Sequence, residues 1–114
     1  MNAPPASQLT DFVQPHRVRA AVYSDPAIFD LEMDRIFGRA WLFVAHESQL
    51  RNPGDFVSVR LGRVPVVACR GPDRAIHVVE NRCGHRGAAL CAERAGTLPN
   101  AMFQCPYHDW TFHC

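Results

Sequence analysis

The stretch NRCGHRGAALCAERAGTLPNAMFQCPYHDWTF, residues 81–112, contains two short Cys/His pairs. Cys83 lies two residues before His85, and Cys105 lies three residues before His108. Each pair offers one thiolate and one imidazole from a short loop, and both groups bind metals. The stretch therefore predicts a metal site with these four residues as ligands.

The order of the ligands distinguishes the kinds of metal site. Two thiolates with two imidazoles form a common structural zinc set, but in zinc fingers the two Cys usually share one loop. In a Rieske [2Fe-2S] cluster, two thiolates hold one iron and two imidazoles hold the other. Two loops with one Cys and one His each can therefore both contribute one ligand to each iron. The mixed order favours the iron-sulfur cluster. A zinc site, and a set of unrelated buried Cys and exposed His, are the alternatives.

The composition predicts one globular domain and excludes several classes of protein. The 114 residues are 47% hydrophobic and 20% charged, with a formal net charge of +1. A nucleic-acid binder needs a concentrated basic patch, and a membrane span needs ~18 consecutive apolar residues, so neither partner is predicted. No secretory signal is visible. Five Cys is an odd and modest number, which predicts a cytoplasmic protein whose remaining Cys are buried thiols rather than disulfides.

The sequence before residue 41 predicts an arm and a helix. Residues 1–22 are Pro-rich and lack periodicity, which indicates an extended N-terminal arm. Residues 23–40 form one amphipathic helix, in which Asp25 is the N-cap, Pro26 the first helical residue and Gly38 the C-terminal stop. Its apolar residues recur at helical spacing: Ile28, Phe29, Met33, Ile36 and Phe37.

From residue 41 onward the hydrophobic period changes to two, which predicts a small antiparallel β domain over residues 41–114. Within it, Val57, Val59 and Leu61 share one strand face, and Pro65 indicates an edge strand or a strand that begins after it. The predicted strands are 41–45, 56–61, 64–70 and 75–79, with turns at 51–55, 62–63 and 71–73.

The motifs CGHRGAALC and CPYHDW resemble the Rieske motif of the large (α) subunits of aromatic-ring-hydroxylating dioxygenases. The resemblance begins near Tyr23 and includes DLEMDRIFGRAWLFVAHESQL, NPGDF and VVENRCGHRG. It implies a mainly β, three-sheet antiparallel Rieske (ISP-like) domain that follows one amphipathic helix and carries the [2Fe-2S] cluster at its tip. Cys83 and Cys105 would bind the buried iron, and His85 and His108 the exposed one.

The resemblance also makes four neighbours of the ligands candidates to surround the cluster: Arg86, Gly87, Tyr107 and Trp110. Gly87 would allow close backbone approach, and the two aromatic residues would shield the cluster or, alternatively, pack in the core. Asp109 is predicted to be a solvated loop acid. The number of residues between the two ligand pairs looks slightly larger than is usual in this family, which indicates an extra turn around Leu98 and Pro99.

The other histidines and cysteines are not predicted to bind metal. Surface or core positions are expected for His16, His46, His77 and His113. Cys69 lies in an apolar run and is predicted to be a small buried hydrophobic residue. The sequence assigns no role to Cys91 or Cys114.

Members of the resembled family continue for several hundred residues, through closing strands to a catalytic domain with mononuclear Fe(II) held by two His and one carboxylate. No such triad is present in these 114 residues. We therefore expect the N-terminal part of an oxygenase α subunit, incomplete at its C-terminal side and without catalytic residues of its own. The implied partners are a ferredoxin or reductase, other oxygenase subunits in a ring-shaped oligomer, and an aromatic substrate bound by the missing domain.

Two other functions are compatible with the same motifs. One is a stand-alone Rieske ferredoxin, although the arm and helix before residue 41 disfavour it. The other is a zinc-binding or non-functional fragment, whose unpaired edge strands would favour aggregation.

Overall fold

The protein, seen in a computed structural model that describes residues 9–114, consists of two compact units that divide between Leu42 and Phe43. The first unit begins with a 3-10 turn, Thr10–Phe12, and continues through strands β1 and β2 to helices α1 and α2. Their bounds are Val13–Gln14, Arg17–Val18, Ala21–Ser24 and Pro26–Glu32. Among the residues described, no helix has both the length and the apolar character of a membrane span.

The helix α2 starts where its capping residues predict. The Asp25 side chain accepts a hydrogen bond from the backbone N–H of Ala27 at 2.8 Å, and Pro26 is the first helical residue, so both predictions are confirmed. The extended backbone of Asp25 (φ −82°, ψ 118°) separates α2 from α1. Of the single helix predicted over residues 23–40, Tyr23 and Ser24 therefore belong to α1, and the rest begins at Pro26 and is helical as far as Phe37.

The buried stripe of α2 is narrower than predicted. Ile28 and Leu31 are buried, whereas Phe29, Ile36 and Phe37 are exposed. After Glu32 the chain continues as a wider π-helical turn, Met33–Phe37, before Gly38. Ile28 and Leu31, three residues apart, share one face of α2, and Phe29 lies on another.

The arm prediction is partly wrong. Residues 1–8 lie outside the described residues, but Val13 pairs with Val18, and Gln14 with Arg17, in a two-residue hairpin. The Arg17 Nε donates to Gln14 Oε1 at 2.7 Å, and the N–H of Arg19 donates to the carbonyl of Phe12 at 2.9 Å. These local hydrogen bonds replace the extended chain.

The second unit has two antiparallel sheets, which confirms the mainly β, antiparallel fold; with the β1–β2 hairpin of the first unit, residues 9–114 contain three sheets. A four-stranded sheet has the order β5-β4-β3-β6, and β7 and β8 form a separate hairpin. The bounds of β3 to β8 are Asp55–Leu61, Val64–Arg70, Ile76–Glu80, Ala95–Thr97, Met102–Gln104 and Thr111–His113.

Both faces of the larger sheet are covered by apolar side chains. On one face Phe56 packs with four buried residues, Val67, Cys69, Cys91 and Phe103. On the other, Val57 packs with Leu50 and Ala68, and Val59 packs against them, as the period of two predicts. The sheet is therefore a rigid layer from which the loops at its ends project.

Two strand predictions are wrong. Residues 41–45 form no strand, and Trp41 is fully exposed, because these apolar residues have no neighbouring strand to pair with. Pro65 does not lie in an edge strand, since β4 pairs with both β3 and β5. The pairing with β5 begins at Val66, so the missing N–H of Pro65 interrupts no hydrogen bond to β5.

Gly54 joins three parts of the second unit. Its N–H donates to the carbonyl of Arg70 and its carbonyl accepts from the N–H of Leu98, both at 2.8 Å. Its φ is +90°, and a Cβ added there would lie 2.5 Å from the Leu98 carbonyl oxygen. Only glycine fits this position.

Substitution Gly54→Ala is expected to lower the free energy of unfolding by roughly 1–3 kcal/mol, through backbone strain and the clash with a carbonyl. Urea unfolding followed by circular dichroism measures this change. Gly84→Ala is the matched control, because a Cβ at Gly84 meets no atom within 4 Å. Equal losses in the two variants would contradict the prediction.

Candidate metal centre

The two Cys/His pairs lie on loops with the same backbone hydrogen bonds. The N–H of Cys83 donates to the carbonyl of Ala88 at 2.7 Å, and its carbonyl accepts from Gly87 at 2.9 Å. In the second loop, between β7 and β8, the N–H of Cys105 donates to Trp110 at 2.8 Å and its carbonyl accepts from Asp109 at 3.0 Å. Each loop thus closes around its first cysteine in the same way.

The closure of each loop requires a left-handed residue four positions after the cysteine. Gly87 has φ +77° and Asp109 has φ +60°. Glycine adopts this conformation freely, and aspartate is one of the few other residues that tolerate it. The prediction that Gly87 permits a tight backbone arrangement is explained by this angle.

The two cysteines lie at the bottom of the site. Cys83 and Cys105 are each only 2% exposed, and their side chains are in hydrogen-bonding contact. The backbone N–H of Tyr107 holds the pKa of the Cys105 thiol below its usual range, against the opposing effect of burial. A lowered pKa favours the thiolate, which is the form that binds metals.

The two histidines lie at the surface of the same site. His85 and His108 are both exposed, and their ring centroids are 4.9 Å apart at an angle of 71°. The four side chains thus form two pairs at different depths, with thiols inside and imidazoles outside.

This arrangement fits a two-iron cluster better than a zinc ion. A structural zinc ion needs four ligands around one point. Here the two thiols are buried together and the two imidazoles lie next to each other at the surface. One pair of thiols and one pair of imidazoles is the donor set of two chemically unequal irons.

The aromatic residues predicted near the ligands lie against the two histidines. Trp110 stacks on His85 with ring centroids 4.8 Å apart and 15° between the planes, and Tyr107 lies 4.3 Å from His108. The Arg86 guanidinium carbon is 5.9 Å from the Tyr107 ring centroid, within cation–π range. Since Trp110 and Tyr107 are at least half exposed, they cover the imidazoles rather than fill the core.

Sequence reasoning missed Asn81, which fixes the first ligand loop. The side chain of Asn81 is buried, and its Oδ1 accepts from the N–H groups of Leu90 and Cys91, both at 2.9 Å. Its Nδ2 donates to the Cys91 carbonyl at 2.8 Å and to Ser58 Oγ at 3.4 Å. The only sequence signal is an asparagine two residues before the first ligand.

The cysteines outside the site correct one prediction. Cys69 and Cys114 form a disulfide, with Cα atoms 6.1 Å apart, so the expectation of buried thiols is wrong for this pair. Cys91 is a buried free thiol, as expected. Burial, with a smaller contribution from Glu93, raises the pKa of Cys91 to about 11.

The remaining histidines contact residues near them in the chain or are exposed. The Nδ1 of His46 accepts from the N–H of Ser48 at 3.2 Å and caps the 3-10 turn Glu47–Gln49. The Nε2 of His77 lies 3.5 Å from Asp73 Oδ1, while His16 and His113 are exposed. Surface or core positions, rather than metal binding, were predicted for these four residues. The turn predicted around Leu98 is also present, as Pro99–Ala101.

Comparisons with known proteins agree with this geometry. The family model for the Rieske [2Fe-2S] domain matches residues 40–114. The chain is 40% identical over 96 residues to the benzene 1,2-dioxygenase subunit alpha of Pseudomonas putida, a match that covers 84% of this chain and 21% of that protein. It therefore spans about a fifth of the length of this curated relative.

Solved structures show the same similarity. Naphthalene 1,2-dioxygenase from Rhodococcus sp., bound to indole, is 37% identical with a TM-score of 0.82, and the match covers 94% of this chain and 24% of that one. A quaternary ammonium Rieske monooxygenase in complex with L-carnitine is 33% identical with a TM-score of 0.74, and the match covers 82% of this chain and 26% of that one. Similar domains thus occur in proteins named for different reactions.

Proposed function

The chain belongs to the Rieske [2Fe-2S] domain family, and on this premise we propose that it is the electron-relay part of an aromatic-ring-hydroxylating oxygenase α subunit. It takes electrons one at a time from a ferredoxin or reductase. It passes them to a mononuclear non-haem Fe(II) site that lies outside this sequence. Its aromatic substrate binds there too.

The observation that carries this proposal is the separation of the ligand types by depth. The Cys83 and Cys105 thiols are 2% exposed, whereas the His85 and His108 rings reach the surface 4.9 Å apart. In the proposed assignment the two thiolates hold the inner iron and the two imidazoles the outer one. When bound, the cluster supplies reversible one-electron transfer at a potential raised by its neutral imidazole ligands.

Different residues of the site have different roles. Backbone N–H groups, such as that of Tyr107, stabilise the negative charge of the buried thiolates. A histidine that binds metal through one ring nitrogen presents the other outward, where it can hold a proton or a hydrogen bond. Trp110 stacks on one face of the His85 ring, and Tyr107 lies beside the His108 ring.

The partners are proposed from the same similarity. The relatives include proteins named as α subunits, which supports assembly with other oxygenase subunits, in our proposal as a ring-shaped oligomer.

A cytoplasmic location is also proposed, on the basis of the odd and modest number of cysteines. Cell fractionation tests the location, for which the Cys69–Cys114 disulfide is a counterargument.

A stand-alone Rieske ferredoxin is the second candidate function. The similarity favours the oxygenase, because the match to the Rhodococcus naphthalene dioxygenase covers 94% of the chain, and therefore includes residues before the Rieske domain. A downstream reading frame with a two-His, one-carboxylate pattern would decide for the oxygenase.

Reconstitution with iron and sulfide without oxygen tests the function. We expect equimolar iron and acid-labile sulfide, visible absorption, and an EPR signal of the Rieske type on one-electron reduction. A colourless protein with one tightly bound zinc ion would overturn the assignment. His85→Cys should change the EPR signal and lower the reduction potential, because a thiolate adds negative charge at the outer iron.

A further inference from the structure

The second ligand loop contains a carboxylate where the first has a glycine. Gly87 and Asp109 occupy equivalent positions, four residues after Cys83 and Cys105, and their N–H groups make the same hydrogen bond. Both backbones are left-handed. Glycine adopts this conformation without strain, so the backbone alone does not require aspartate at the second position.

The carboxylate of Asp109 is held in place by Gln104, the residue directly before the ligand Cys105. Gln104 Nε2 donates to Asp109 Oδ1 at 3.1 Å, and the backbone N–H of Asp109 donates to the Cys105 carbonyl at 3.0 Å. Asp109 also follows His108 directly in the chain. The exposed side chain of Asp109, predicted to be a solvated loop acid, is thus tied by this hydrogen bond to the strand residue before Cys105.

The negative charge of Asp109 acts on the ligands of its own loop. Its carboxylate side chain belongs to the residue that directly follows the ligand His108, and its backbone N–H is hydrogen-bonded to the carbonyl of the ligand Cys105. A fixed negative charge beside the ligands disfavours an added electron, because reduction makes the site more negative. Two positively charged side chains of the first ligand loop act in the opposite direction: Arg86, over Tyr107, and Arg82, beside Gly87.

We propose that the negative charge of Asp109, held in place by Gln104, lowers the reduction potential of the cluster. This inference rests on the proposed function and deepens it. Reduction adds one electron to a site whose ligand loop already contains a fixed carboxylate, so the reduced form is destabilised relative to the oxidised form. The donor protein must then be a stronger reductant than a loop with glycine at this position would require.

The test is a redox titration of the cluster-loaded chain, followed by EPR, for the wild type and two variants of Asp109. Asp109→Asn keeps the hydrogen-bonding shape and the tolerance for a left-handed backbone but removes the charge. Asp109→Gly removes charge, side chain and strain together. Both midpoint potentials are expected to move upward by a similar amount, and the shift should shrink at high salt because a partly exposed charge is screened.

Asp73→Asn is the matched control. Asp73 is an exposed carboxylate in the turn before β5, at the opposite end of that strand from the first ligand loop. Five strand residues separate the two places, or roughly 16 Å, which exceeds the Debye length of about 8–10 Å. The midpoint potential of this variant is expected to match the wild type.

The outcomes separate this inference from the function on which it rests. Equal midpoint potentials in the wild type and Asp109→Asn overturn the role of the charge. A shift in Asp109→Gly without one in Asp109→Asn also overturns it, because the backbone conformation would then be the cause. A wild-type chain that binds no Rieske cluster overturns the proposed function and this inference together.

Discussion

Substitution Cys105→Ser is expected to abolish the binding of the cluster, so that the iron and sulfide content after reconstitution falls to the background level. Cys105 is a buried thiol in contact with Cys83, and the N–H of Tyr107 favours its thiolate. A serine hydroxyl has a much higher pKa and is a harder ligand, so the inner iron would lose one of its two soft ligands. Iron and sulfide analysis, with the visible spectrum, measures this loss.

Cys91→Ala is the matched control for this prediction. Cys91 is also buried and free, but it packs in the core with Phe56 and Phe103, and burial raises the pKa of its thiol to about 11. A neutral thiol in an apolar cluster is not a metal ligand. The control variant is expected to bind the cluster at the wild-type level, and a loss as large as that of Cys105→Ser would contradict the proposed ligand set.

Substitution Asn81→Ala is expected to lower the free energy of unfolding by about 2–6 kcal/mol. The change leaves the buried N–H of Cys91 and the partly buried N–H of Leu90 without their acceptor, at a cost of about 1–3 kcal/mol for each group. It also removes the donor to the Cys91 carbonyl and the contact with Ser58. Urea unfolding measures the loss of stability.

Because Asn81 ties residues 90 and 91 to the start of the first ligand loop, the same variant should also retain the cluster for a shorter time. Loss of visible absorption in the presence of an iron chelator measures this rate. Asn52→Ala is the control, since Asn52 is exposed and its side chain contacts Asp55 only at 3.5 Å. Similar unfolding free energies for the two variants would contradict the role of Asn81.

The local chemistry of the sequence predicted a large part of the fold. The N-cap Asp25 and Pro26 fix the start of α2 because a cap depends only on residues next to one another. The alternation of Val57 and Val59, and the Gly-Pro turns, predicted antiparallel strands. The prediction failed for residues 41–45, because an apolar segment becomes a strand only where another strand pairs with it. It failed for Pro65 because pairing with β5 begins at the next residue, so the missing N–H of Pro65 is not needed there.

For the candidate site too, the sequence determined some features and the tertiary structure decided others. By itself, the sequence determined the four predicted ligands, their spacing and the mixed order that indicates two unequal irons, because these follow from residue types within two loops. Only the tertiary structure decided that Asn81 is buried and that Cys69 reaches Cys114, whereas the family resemblance had already implied buried thiols and more exposed imidazoles. Depth, burial and the disulfide join residues far apart in the chain, so they depend on how the sheet and the β7–β8 hairpin pack together.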